Sequence, residues 1–278
     1  MKVLQSVLLD VLLLLVVSFA ALGSAPADIV GVEFSTGLVY GIDPITGAVT
    51  PTSDQFVKWG ASGAPQPGMI FGTSVINLWE LNLNTGVSTP VGSFEEPRVG
   101  PVGITELAFD RQSGVLYGTD YSSLFTIDFG SCHPYCPTTL VGGLGVPEMW
   151  AMGWVPGRGL YGVDDSTDFL FRIDEATGSA TPVGPTGVDG ITDIAFDSAT
   201  GELIASAGGP EPFASGPGKI YAIDLQTGGA TLLNDNAPNM LGIADTVPEP
   251  GSCLLLATSL AALGGLWRLK KSPVLLGQ

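Results

Sequence analysis

The chain has 278 residues, with 27 Asp or Glu against 10 Lys or Arg and a formal net charge of −17. So acidic a surface repels nucleic acid and other polyanions, and the single histidine, His133, leaves any histidine triad or metal site to be built around it alone. The 39 Gly, the 21 Pro and the lack of a long amphipathic period make the chain all-β and rich in turns.

At the N-terminus, Lys2 precedes an apolar run from Val11 to Leu22, with Asp10 an unusual charge at its edge. Ala25-Pro26-Ala27 follows and fits the A-x-A pattern of signal cleavage. Residues 1–27 therefore read as a signal peptide, with a retained signal anchor as the alternative. Residues 28–246 are then an exported domain of 219 residues, holding 25 of the 27 acids and 6 of the 10 bases, a net of −19. That length suffices for one sizeable core or two small ones.

One phrase recurs along this domain: an apolar strand, Asp or Asn, two residues, then Thr-Gly. It stands at Asp43–Gly47, Asn82–Gly86, Asp174–Gly178 and Asp224–Gly228, with a degenerate copy at Asp128. The Asp/Asn positions lie 39, 46, 46 and 50 residues apart, a propeller-type period. Gly103-Ile104-Thr105-Glu106-Leu107-Ala108-Phe109-Asp110 closely matches Gly190-Ile191-Thr192-Asp193-Ile194-Ala195-Phe196-Asp197, and a second strand follows each. Four short strands per copy predict a β-propeller of about five four-stranded blades; six blades or an open solenoid are the alternatives. The first copy lacks its opening strand, and Leu241–Asp245 at the far end supplies that type, so the last strand is expected to complete the first blade. Thr52 to Gly68 is the least legible stretch and leaves room for an irregular strand. The Asp-x-x-Thr-Gly phrase predicts a hairpin turn in which the acid accepts backbone N–H groups and Gly takes a positive φ. One carboxylate per copy is too few for a calcium site of about six oxygens or more.

Cys132-His133-Pro134-Tyr135-Cys136 sits in the third copy between its last two strands. In an oxidising compartment Cys132 and Cys136 predict a local disulfide, with zinc the alternative but no fourth ligand evident, and the loop is expected to project from one face. Asp164-Asp165-Ser166-Thr167-Asp168 packs three acids into five residues. It is a solvated turn or a weak calcium site, since it lacks the central Gly and distal Glu of an EF-hand. Calcium is thus the one cofactor in view, with Asp164, Asp165 and Asp168 as its candidates. Trp59, Trp79, Trp150 and Trp154 are candidates for stacking on sugar rings, although Trp150 and Trp154 fall where core packing is expected. Glu106, Asp193, Glu148 and Asp245 lie on or near opening strands, which makes a carboxylate-lined channel conceivable. No nucleophile motif and no phosphate loop is present, so no catalytic residue is assigned.

At the C-terminus, Val247-Pro248-Glu249-Pro250 precedes an apolar run that ends in Arg268-Leu269-Lys270-Lys271. Pro248 and Pro250 cannot continue a helix, so the helix begins near Gly251. Residues 251–269 would span roughly 28 Å as a helix, close to a bilayer core of about 30 Å. Arg268, Lys270 and Lys271 place the downstream end in the cytoplasm and the preceding domain outside.

This ordering, over about the last thirty residues, resembles the PEP-CTERM sorting signal: a Pro-Glu-Pro motif, one membrane helix and a basic cluster. The resemblance implies an exosortase-type transpeptidase as partner, an inner-membrane intermediate, and a destination at the cell surface or in the extracellular matrix of an exopolysaccharide-making Gram-negative-type bacterium. The tail departs from the pattern in continuing from Ser272 to Gln278 and in carrying only three basic residues. An uncut tail anchor is the alternative. The expected function is a non-enzymatic surface or matrix protein whose propeller binds exopolysaccharide, another glycan or a surface protein. The alternative is an extracellular lactonase-like or glycan-cleaving hydrolase with a calcium-bound carboxylate channel.

Overall fold

The computed structural model describes residues 29–55, 59–198, 200–208 and 217–246. The signal peptide with Ala25 and Ala27, the motif Val247–Pro250, the membrane helix 251–269 and the basic cluster Arg268, Lys270 and Lys271 lie outside the described residues. Among the described residues, no helix is long and apolar enough to cross a membrane.

The described chain is all-β, built from consecutive four-stranded antiparallel meanders. The first begins with β1 (Ile29–Glu33), β2 (Leu38–Ile42) and β3 (Val49–Gln55). The second runs through β4 (Trp59–Gly63), β5 (Met69–Thr73), β6 (Asn77–Asn82) and β7 (Val87–Glu96), followed by the two-residue β8 (Gly100–Pro101) paired on β7. The third is β9 (Glu106–Asp110), β10 (Val115–Thr119), β11 (Ser123–Ile127) and β12 (Tyr135–Gly143). The fourth is β13 (Met149–Val155), β14 (Gly159–Asp164), β15 (Phe169–Ile173) and β16 (Ala180–Pro185). The fifth is β17 (Ile191–Asp197), β18 (Glu202–Ala207), β19 (Gly218–Ile223) and β20 (Ala230–Ala237). The last strand, β21 (Met240–Asp245), returns to pair with β1, Ile29 opposite Asp245 and Gly31 opposite Ile243. The chain's last described strand thus completes its first sheet and removes two exposed edges. The stretch from Thr52 to Gly68 holds the end of β3 and all of β4.

The opening strands β4, β9, β13, β17 and β21 pack side by side in a closed ring, which makes the arrangement propeller-like. Five apolar clusters lie between successive meanders. Ala108, Tyr117 and Leu124 meet Met149, Met152, Leu160 and Phe171 between the third and fourth, for example, and Ile29 and Ile42 meet Ile204 and Ile220 between the fifth and first. Each fully buried Leu or Ile side chain contributes about 1.5–3 kcal/mol, so the stability lies in these sheet-to-sheet contacts. Near the axis the ring is tight. A Cβ on Gly153 would sit 2.8 Å from the Ile194 carbonyl oxygen of the next opening strand, so β13 and β17 approach only because no side chain stands between them.

The recurring phrase forms the expected turn. Oδ1 of Asp43 accepts the N–H of Ile45 and of Thr46, both at 2.9 Å, and Asn82, Asp174 and Asp224 repeat the pattern. Gly47, Gly86, Gly178 and Gly228 close these turns with φ between 67° and 80°. These bonds lower the carboxyl pKa values. The Thr46 N–H leads at Asp43, the Thr177 hydroxyl at Asp174 and the Gln226 N–H at Asp224.

Cys132 and Cys136 are joined by a disulfide. Their loop does not project freely, contrary to the sequence expectation. Residues Tyr135 to Pro137 pair in parallel with Ser93 to Glu95 of β7, and Ser93 N–H donates to the Pro134 carbonyl at 3.0 Å. Both cysteines are buried in the apolar cluster between the second and third meanders. Burial of the bridge and the open edge of β7 hold the loop down, while His133 and Tyr135 stay exposed.

Candidate functional site

The ring axis is nearly filled. Where the opening strands converge, Ser62, Ala108, Gly153, Ala195 and Ile243 line a cavity of only about 10 Å³, the space of roughly one water molecule. Arg111 closes one end. Its Nε donates to Asp245 Oδ2 at 2.8 Å, and its two terminal nitrogens donate to the backbone carbonyls of Ala64 and Asp245, each at 2.9 Å. One guanidinium therefore ties the first three meanders together. Asp245 is half-buried in this ion pair and does not line an open channel.

Glu106 and Asp193 lie toward the opposite end, at or near the starts of their opening strands. Asp193 is fully buried and both its oxygens are used: Oδ1 accepts from Ile194 N–H at 2.7 Å and Oδ2 from Ile243 N–H at 2.8 Å. Glu106 is also buried, but its Oε2 has no hydrogen-bond partner. It rests against bare backbone, since a Cβ on Gly60 would be 2.6 Å from that oxygen. Burial first, and then the Asp193 charge, pushes the Glu106 carboxyl well above its usual range. A pair in which burial disfavours the charge of one member and main-chain donors occupy both oxygens of the other gives a calcium ion few ligands. Nearby, Tyr121 (φ 80°) packs against Trp150 with ring centroids 5.2 Å apart and the planes tilted by 38°. Burial, then Glu106, raises the Tyr121 pKa against a hydrogen bond with the Thr105 side chain.

The acidic turn of the fourth meander differs from the sequence expectation. Asp164 is fully buried and spent on its own loop, accepting from the Glu148 N–H and from the Ser166 and Thr167 hydroxyls at 2.7–3.0 Å. It is therefore no metal candidate. Asp165 and Asp168 face Asp189, which sequence reasoning missed, and one oxygen from each lies within 4.8 Å of the others. Asp189 was not legible because it arrives from the next inter-sheet loop. Three oxygens are half of what calcium takes. Burial, then Asp168, Asp189, Glu148 and Asp164 in turn, raises the Asp165 pKa. Glu148 itself is exposed on the loop before β13.

A cleft of about 810 Å³ runs from the β9–β10 turn across the end of the fourth meander. Trp154 of β13, Arg158 of the β13–β14 turn, Arg172 of β15, Glu175 of the β15–β16 turn and Pro182 of β16 line it, with Asp110 and Gln112 on the near side. Trp154 is half-buried between this cleft and the axial cavity and packs against the apolar cluster between the third and fourth meanders, as its strand position suggested. Glu175 stands beside the Trp154 indole and the Leu160 backbone N–H, both of which favour its charged form. Burial, then the neighbouring Asp110, still raises the Glu175 pKa. Beneath, burial followed by Glu175 and Asp110 pushes Tyr117 up to about 12. The other tryptophans stand apart: Trp79 donates its indole N–H to Ser74 Oγ at 3.0 Å, and the Trp59 side chain lies outside the description.

No protein-family model and no curated protein matches this chain. Distant likenesses among solved structures include a chain of a nidogen/laminin complex, at 12% identity and a TM-score of 0.49, covering 79% of this chain and 98% of that one. Hydrazine synthase from Kuenenia stuttgartiensis matches at 13% identity and a TM-score of 0.43, over 65% of this chain and half of its own length. A Bacteroides thetaiotaomicron protein of unknown function matches at 12% and 0.43, over 72% of this chain and 57% of its own. The propeller-like description rests on the strand order and the closed ring.

Proposed function

We propose that the chain is an exported, non-enzymatic surface or matrix module: a five-bladed propeller at residues 28–246, delivered by an N-terminal signal peptide and sorted through its C-terminal tail. The observation that carries this reading is the order Val247-Pro248-Glu249-Pro250, apolar run, then Arg268, Lys270 and Lys271. Paired with the A-x-A pattern at Ala25 and Ala27, it supports crossing of the inner membrane, recognition by an exosortase-type transpeptidase and display outside. Five meanders closed by β21 support the blade count. Such a module presents loops from its rim for a glycan or protein ligand.

The hydrolase reading asks for an open channel with an ion. The axial cavity of about 10 Å³, the guanidinium across one end and the saturated Asp193 speak against it. The test is mass spectrometry of the C-terminus of the protein taken from its own cells. A chain ending within Val247 to Pro250, with or without an added group, is the expected result. A chain ending at Gln278 would overturn the sorting step and leave a plain membrane anchor. Turnover of a lactone or a glycan by the purified protein would overturn the non-enzymatic part.

A further inference from the structure

The hydrogen-bonding groups of the cleft are unevenly spent. Two of its carboxylates have internal donors: Asp110 accepts from the N–H groups of Gln112 and Ser113, and Asp174 from those of Ala176 and Thr177. Its two guanidinium groups are the opposite. Among the described residues, Arg111–Asp245 is the one ion pair, and neither Arg158 nor Arg172 makes a side-chain hydrogen bond. Both are exposed, close enough to Asp224 and to Asp174 and Glu175 respectively to lower those carboxyl pKa values, but not bonded to them. Two exposed guanidinium groups thus stand in the cleft beside Asp174, in the fork geometry that suits a carboxylate. Two of the domain's six basic residues are gathered here, in a segment whose net charge is −19.

The rest of the cleft is suited to a sugar. Trp154, packed against the core on one side, and Pro182 offer apolar surface to ring C–H groups, and a volume of about 810 Å³ accommodates several sugar units. The surrounding charge sets a limit, because a densely charged polyuronate would be repelled by the domain as a whole. We propose that this cleft binds a largely neutral polysaccharide strand carrying sparse carboxylates, with one uronate held by Arg158 and Arg172 and the neighbouring sugars along Trp154 and Pro182. The assignment rests on the surface-module reading and names its ligand class.

The test is calorimetric titration of the full chain in detergent micelles. The probes are maltotetraose, the same tetrasaccharide with one glucuronate, its methyl ester, tetragalacturonate, free glucuronate and a blocked tetraglutamate peptide. The mono-uronate tetrasaccharide is expected to bind at least ten-fold more tightly than every other probe. Arg158→Gln and Arg172→Gln should each weaken it at least five-fold with melting unchanged, since both side chains are exposed, while Arg98→Gln, outside the cleft, has no effect. Equal binding of maltotetraose or the ester would overturn the role of the arginines. Equal or tighter binding of free glucuronate or of the peptide would overturn the sugar strand, tighter binding of tetragalacturonate the sparse charge, and no saccharide binding at millimolar concentration the whole assignment. C-terminal mapping of the same protein separates the failures: a cut tail without saccharide binding sinks this inference alone, and an uncut tail with binding sinks the sorting alone.

Discussion

Gly103–Asp110 and Gly190–Asp197 are nearly the same eight residues, and they open two meanders of the same ring. Their backbones do the same work. Asp110 and Asp197 each accept from the turn that follows, Asp110 from Gln112 and Ser113 and Asp197 from Thr200. The side chains facing the axis diverge. Asp193 reaches two main-chain N–H groups, one of them on β21, while Glu106, one methylene longer, buries an oxygen with no partner. Thr192 Oγ1 donates across to the Met240 carbonyl at 2.6 Å, whereas Thr105 Oγ1 donates within its own meander to Thr119 at 3.0 Å. A repeat copies the strand; what the neighbouring blade presents decides whether a polar side chain is a tie or a burden.

The sharpest way to break this contrast is Asp193→Ala. It leaves two buried N–H groups unpaired and unlinks the fifth meander from β21, at a cost of about 3 kcal/mol, or roughly 6–12 °C in Tm for a domain of this size. A calorimetric scan showing less than about 2 °C would mean that water takes over those donors. Glu106→Gln tests the other copy with the opposite sign. A carboxyl whose pKa is raised by folding contributes stability that is complete below its unfolded value, near 4.5, and is lost as pH rises toward the folded value. The amide cannot ionise, so this variant should melt a few degrees above the parent at pH 8, with the gain fading toward pH 4. A pH-independent difference would mean that Glu106 is not the titrating group.

Smaller effects refine the picture. Thr192→Val should cost about 1–2 kcal/mol and Thr105→Val about half of that, because only Thr192 ties two blades. Equal losses in urea titration would show that the inter-blade bond adds nothing. Asp110→Ala and Asp197→Ala should cost about 1 kcal/mol each and nearly the same, since both hold a local turn. A difference of more than two-fold would make the turns unequal despite their shared residues.

Much of the fold was legible because its causes are local. The Asp-x-x-Thr-Gly turns depend on an oxygen and N–H groups two and three residues away, and closure by β21 was legible because Leu241–Asp245 resembles the other opening strands. The site was less legible. Asp164, read as part of a solvated turn and a weak calcium candidate, is a buried loop anchor, while Asp189 joins Asp165 and Asp168 from a different loop. Trp154, read as core, does pack against the core, but its second role at the border of the cleft was not legible. The cysteine loop, read as projecting, lies against β7, whose free edge belongs to the preceding meander. By itself the sequence determined the all-β class, the repeat, its turns and its closing strand, since each follows from side-chain type and short spacing. Only the tertiary structure decided that Arg111 crosses the ring, that Oε2 of Glu106 lacks a partner where both oxygens of Asp193 have one, and that Arg158 and Arg172 share a cleft with Trp154. Those arrangements join residues from different blades or strands, and their geometry exists only once the sheets have packed and the ring has closed.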